Sequence, residues 1–186
     1  MIITICGQEG SGKGTLGKGL SQRLGYKYYS MGDIRREYAL KKGITLEQLN
    51  ESRKSDITSD VMVDQYQAKL GQTKDNIIVD SRLGFHFIPH SIKILIVADI
   101  AVCAKRAWAD IQAGLRPSEQ YHSVEELEAS FRRRFASDKR FYLEHYGVDH
   151  ADKSRFDLVI DSTHTTKEEK LALALDWLKN NKHIPA

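Results

Sequence analysis

The chain reads as an α/β fold, a parallel sheet of five strands flanked by helices. Three observations predict it. Short strand-like and helix-like segments alternate along all 186 residues. The runs Ile77-Ile78-Val79 and Ile92-Lys93-Ile94-Leu95-Ile96-Val97 are short and β-branched, as strands buried on both faces are. A glycine-rich turn separates the first strand from the first helix.

Taken in order, the first strand is expected at 2–6 and the first helix at 13–24. A second strand at 26–29 leads into a helix at 33–42, for which Asp33 is a suitable N-cap. Helices at 45–53 and 58–70 precede a third strand at 76–80 and a fourth at 92–97. Helices at 100–112 and 123–146 follow, then a strand at 156–161. A last helix spans 166–181, with Thr165 or Thr166 as cap and apolar residues at helical spacing. The stretch Gly114 to Tyr121 (GLRPSEQY), which carries Arg116, is the clearest flexible segment. There is no internal repeat and no low-complexity tract.

Composition narrows the class. At 41% hydrophobic and 28% charged, the chain suits one compact domain over 1–186. No apolar run approaches the ~18 residues of a membrane span. The first residues carry no signal-peptide pattern, so the cytoplasm is the expected compartment. Cys6 and Cys103 both sit among apolar residues and read as buried thiols rather than a disulfide. A net charge of +3 is too small to demand nucleic acid and is compatible with an anionic small molecule. A monomer acting on small molecules is expected, with neither membrane nor nucleic acid as partner.

The stretch CGQEGSGKGT carries the first chemistry. Gly7 through Lys13 fits G-x-x-x-x-G-K between a strand and a helix, which is where a phosphate-cradling loop belongs. Gly7, Gln8, Glu9, Gly10, Ser11, Gly12, Lys13, Gly14 and Thr15 are therefore the expected triphosphate site. Their amides and the helix N-terminus face a β-phosphate, and Lys13 reaches the β- and γ-oxygens. Gly14 departs from the pattern, because a Ser or Thr there normally ligates magnesium. Thr15 offers the nearest hydroxyl. Two further features stand out. Glu9 places a carboxylate in the loop, which repels phosphate unless it turns to solvent. Gly17 and Gly19 each cost the first helix about 1 kcal/mol relative to alanine, which close packing would explain.

A second anion site follows. In Ser30-Met31-Gly32-Asp33-Ile34-Arg35-Arg36, the two arginines fall in the first turn of a helix begun at Asp33, opposing its dipole. That placement makes sense if one of them faces a bound anion. The strand Asn76 to Asp80 ends in a carboxylate and is followed by Ser81-Arg82. Ligands in parallel sheets bind at such carboxyl ends. Asp80 is thus the expected magnesium partner of the loop, acting through water. Arg82 projects from the same edge toward the anion held by Arg36.

The most basic segment, Phe131 to Arg140 (FRRRFASDKR), reads first as a solvated helix face, with a nucleic-acid patch as the rival. Arg134 and Asp138 at i,i+4 make a helical ion pair. Because the segment follows a flexible loop, and Arg106 lies on the helix before it, a third reading is a lid bringing arginines over a transferring phosphoryl group.

Together, GQEGSGKGT, LGYKYYSMGDIRRE, NIIVDSRLG, SVEELEASFRRRFASDKRFYLEHYGVD and FDLVIDST resemble the nucleoside monophosphate kinase family over almost the whole chain. The closest resemblance is to short archaeal-type cytidylate kinases. It implies a P-loop kinase fold with NMP-binding helices at about 30–72 and a lid at about 106–140. It also implies acceptor binding by Asp33, Arg36, Arg82 and Asp138. The lid roles fall on Arg106, Arg132 and Arg134, which with Lys13 form the implied catalytic set. Mg2+ is the implied cofactor, held by Asp80 and Thr15. Two positions depart from the pattern: Asp110 stands where a second lid arginine is usual, and Phe141 where an arginine follows the Asp138 equivalent. Arg116 and Arg140 are the candidate substitutes.

The expected reaction is phosphorylation of CMP or dCMP by ATP. The alternatives are a kinase of AMP, UMP or a small metabolite, or a nucleotide-dependent nucleic-acid-binding or regulatory protein. No N-K-x-D segment supports a GTPase switch. His86 and His90 have ligand-like spacing, but Pro89 argues against one continuous helix through them.

Overall fold

The computed structural model describes every residue except 117, 118, 120 and 186, with Lys54 described in its backbone alone. Five parallel strands form one sheet: β1 (Ile2–Gly7), β2 (Lys27–Ser30), β3 (Ile77–Asp80), β4 (Ile92–Val97) and β5 (Leu158–Asp161). Their order is β2-β3-β1-β4-β5, with β1 at the centre, so the glycine-rich loop leaves from the middle of the sheet.

Alternation along β1 explains the layers. Ile3 and Ile5 pack with Leu16 and Leu20 of α1 (Lys13–Leu24) and with Ala174 and Leu178 of α8 (Lys167–Asn180). On the opposite face, Ile2 joins Ile77 and Val79 against Met31 of α2 (Met31–Lys41) and Val63 and Leu70 of α4 (Thr58–Thr73). Cys6 on that same face joins Leu95, Phe141 and Tyr142. Successive side chains of a strand point to opposite faces, and every strand of this kind feeds two cores. The remaining helices are α3 (Leu46–Glu51), α5 (Gly84–Phe87), α6 (Ile100–Gln112) and α7 (Val124–Tyr146).

Several local expectations are refined. α2 begins at Met31 and is capped by the Ser30 hydroxyl, which accepts from the Asp33 amide, so Asp33 is a third-position residue and not the cap. Arg35 and Arg36 consequently sit in the second turn. Thr166, not Thr165, caps α8, in a capping box with Glu169. α5 ends at Phe87, ahead of Pro89. Cys6 and Cys103 are free and buried. Of the expected flexible stretch 114–121, positions 117, 118 and 120 lie outside the described residues. Among the described residues no helix is long and apolar enough to cross a membrane.

Candidate active site

The loop between β1 and α1 takes the form its glycines allow. Gly10 has φ +70°, and a β-carbon there would run into the backbone of Cys103 on α6. Lys13 curls back, its Nζ donating to the Gln8 carbonyl at 2.8 Å, and Ser11 Oγ donates to the same oxygen at 2.8 Å. Burial lowers the Lys13 pKa, with Asp80 opposing the effect. Burial likewise raises the Asp80 carboxyl, with Lys13 and the Tyr28 hydroxyl pulling it back. The hydrogen bonds go elsewhere: Asp80 Oδ2 accepts from the Tyr28 hydroxyl at 2.9 Å, and Lys13 donates to the Gln8 carbonyl.

Glu9 does not turn to solvent. Its carboxylate pairs with the Arg82 guanidinium and, at 2.7 Å, with Arg134. Arg82 in turn pairs with Asp138, which also receives Arg53 at 2.5 Å. Arg53 is 7% exposed and continues the network to Asp60 at 2.7 Å, which Arg35 reaches at 2.5 Å. Burial would raise Asp138, but Arg82, Arg53 and Arg134 outweigh it and hold the carboxyl down at about 2. Arg134 Nε is buried without a hydrogen-bond partner among the described residues. Two guanidiniums, Arg82 and Arg134, thus gather beside the loop and share the carboxylates of Glu9 and Asp138. A phosphate dianion would satisfy the same donors.

Arg53 carries no signal in its sequence neighbourhood. Its partner Asp138 is 85 residues away, and its guanidinium lies 4.7 Å from the centroid of the Phe141 ring. It therefore fills, from another element, the surroundings of a position where the resembled family has an arginine on the helix itself. Beside this network a cavity of about 830 Å³ opens between α3 and α7, with Asn50, Arg53, Arg134, Asp138 and Arg140 in its wall. That volume suits a nucleotide-sized ligand.

Other expected residues lie elsewhere. Arg82 leaves the end of β3 as expected but points to Glu9 and Asp138 rather than toward Arg36. Asp33 and Arg36 pair with each other on the exposed side of α2, Arg36 being near enough to lower the Asp80 pKa. Arg106 is not with the other arginines: it donates to the Ser162 carbonyl at 2.7 Å and to that of Thr163 at 3.4 Å. Arg132 faces outward and pairs with Glu128 at 2.7 Å, one turn earlier on α7. Arg116 is engaged by Glu119 at 3.0 Å and Asp110 at 3.3 Å. Thr15 is exposed at the start of α1.

The oxygen donors near the loop suit a hard cation such as Mg2+, which is held by one or two carboxylates together with substrate phosphates. Asp80, buried at the end of β3 beside Lys13, is that kind of carboxylate. No cluster of three or more His, Cys, Asp or Glu among the described residues could hold a metal by itself.

A central β1, a glycine-rich loop with its lysine, and a carboxylate closing the neighbouring strand define a P-loop kinase. Solved structures share the fold. A shikimate kinase from Acinetobacter baumannii in complex with shikimate superposes with a TM-score of 0.63 at 16% identity, covering 97% of this chain and 94% of that one. The chain belongs to the cytidylate kinase-like family, whose model matches residues 2–164. It is 31% identical to the cytidylate kinase of Methanothrix thermoacetophila over 175 residues, 94% of this chain and 96% of that protein. It is also 30% identical over 181 residues to an S-adenosylmethionine-dependent nucleotide dehydratase of Lacinutrix mariniflava. That match covers 96% of this chain but 36% of the longer protein. The chain is an enzyme, a kinase.

Proposed function

We propose that the enzyme transfers the γ-phosphoryl group of ATP to the 5′-phosphate of CMP or dCMP, giving CDP or dCDP and ADP. The observation that carries this reading is the approach of two anion-binding groups to one point. Lys13 and the loop amides lie on one side, Arg82 and Arg134 on the other, and the loop's own Glu9 already bridges to those arginines. In the reaction an oxygen of the acceptor phosphate attacks the γ-phosphorus and the bond to the bridging oxygen breaks. No covalent enzyme intermediate is needed, so positioning and charge neutralisation supply the catalysis.

In this reading Gly7 to Thr15 hold ATP and Lys13 follows the moving charge. Arg82, Arg36, Asp33 and Asp138 hold or orient the acceptor, and Arg134 joins the transferring group. Arg106 and Arg132 stay outside it, engaged by the Ser162 carbonyl and by Glu128. Asp80, with Thr15, would hold Mg2+, which neutralises phosphate charge when bound. The enzyme works as a monomer on freely diffusing cytoplasmic nucleotides. The longer relative's dehydration chemistry is not carried over, since 36% of that protein is matched.

A panel of acceptors assayed with ATP and Mg2+ tests the proposal. CMP and dCMP should exceed UMP, AMP and GMP by at least about tenfold in kcat/KM. A preference for another monophosphate would overturn the base assignment. ADP release stimulated by no monophosphate would overturn the reaction itself.

A further inference from the structure

Gly14 leaves the loop without the hydroxyl that such loops place at this position, and the structure has a hydroxyl there all the same. Tyr28 starts on β2, whose register sets Ser30 beside Asp80, and its ring lies along α1. Its hydroxyl donates to Asp80 Oδ2 at 2.9 Å. A β-carbon added to Gly14 would look at that same oxygen from 3.4 Å and at Asp80 Oδ2 from 3.6 Å. A serine hydroxyl at 14 and the Tyr28 hydroxyl would therefore contend for one place. Gly17 belongs to the same arrangement: a β-carbon there would collide with Cε2 and Cδ2 of the Tyr28 ring. Gly17 and Gly14 thus clear a track for one tyrosine, one under its ring and one at its tip. A tyrosine needed only to fill the core would not require its oxygen delivered to the buried carboxylate at the end of β3.

We propose that Tyr28 is a positioning residue whose hydroxyl, standing close to where the one missing at position 14 would be, orients the Asp80 carboxylate for the magnesium ion of a bound nucleotide. This rests on the nucleotide-binding reading of the loop. By donating to Oδ2, the hydroxyl fixes the carboxylate plane and leaves Oδ1 free for the ion or its water, as outer-shell partners of metal ligands do. Loss of such a partner typically weakens metal affinity by about 10- to 100-fold.

The test is ADP binding to the full chain by calorimetry, once in EDTA and once in excess Mg2+. The forms compared are wild type, Tyr28→Phe, and Tyr28→Phe combined with Gly14→Ser. Tyr28→Phe deletes one oxygen and keeps the ring. It should bind ADP in EDTA within about twofold of wild type, yet lose about tenfold of the tightening that Mg2+ brings. Gly14→Ser, placed in the space left by the oxygen, should restore most of that loss. Full Mg2+ tightening in Tyr28→Phe overturns the proposal. So does an equal loss with and without Mg2+, which marks a packing role, or a double variant no better than Tyr28→Phe. If wild type fails to bind ADP even in EDTA, the nucleotide reading falls first and this inference with it.

Discussion

Glu9 sets up a competition that can be measured. Its carboxylate holds Arg82 and Arg134, the arginines assigned to the acceptor and the transferring phosphoryl group. An incoming phosphate must displace it. At a charge separation of ~4 Å and an effective dielectric of ~20, each pairing carries about 4 kcal/mol of Coulomb energy. Desolvation and the side chains' remaining exposure, 17% for Glu9 and 21% for Arg134, remove most of that. What survives is on the order of 1–2 kcal/mol of competition. Glu9→Gln keeps the shape and removes the charge. It should tighten CMP binding by about tenfold, since 1.4 kcal/mol corresponds to one decade. The same change should lower the melting temperature by a few degrees, at about 2–4 °C per kcal/mol for a chain of this size. Calorimetric titration of CMP into both forms, with a thermal melt of each, provides the check. If CMP binds Glu9→Gln no better than wild type, or more weakly, Glu9 pre-organises the arginines and the competition argument is wrong.

Three further expectations follow from the same geometry. Lys13→Ala should reduce kcat by at least about 100-fold while shifting urea stability by less than about 1 kcal/mol, because among the described residues its side chain bonds only the Gln8 carbonyl; wild-type turnover would rule out the mechanism. Arg53→Met should destabilise the fold by roughly 1–3 kcal/mol in urea unfolding, because it takes one guanidinium from each of the buried Asp60 and Asp138, which keep Arg35 and Arg82. Asp138 has a folded pKa held down at about 2 against an ordinary 3.8, so its contribution is present above about pH 4 and lost as pH falls through about 2. At 1.36 kcal/mol per unit this is roughly 2 kcal/mol. The drop in stability between pH 5 and pH 2.5 should be correspondingly smaller in Asp138→Asn.

The three central strands were legible because they are isoleucine-rich runs bounded by turns, and the loop because strand, glycines and lysine occur in the required order. Asp33 suits a cap by residue type, but Ser30 three residues earlier holds its amide and takes that place. The arginines were less legible, because a guanidinium on a helix looks the same in sequence whichever way it faces. Helical spacing does carry some of the answer. Residues two apart diverge around a helix, so Arg132 and Arg134 could not both face inward, whereas Arg134 and Asp138 share a face. Arg53 was invisible for a different reason: its partners come from α4 and α7, and only the folded chain brings them together. Gly17 and Gly19 register as weaknesses in sequence. In the structure one accommodates Tyr28 and the other lies against Leu171 of α8.

The 23 residues of α7 form a beam about 34 Å long, at 1.5 Å per residue. Its early part is seated on α6 through Leu127 and Phe131, and its far part is bedded in the core through Phe141 and Tyr142. A rod seated at both ends resists bending at its middle, where Arg134 and Asp138 lie. The pair thus sits on a stiff span, like a shelf fixed to two walls, and its spacing is set by the fold before any ligand arrives.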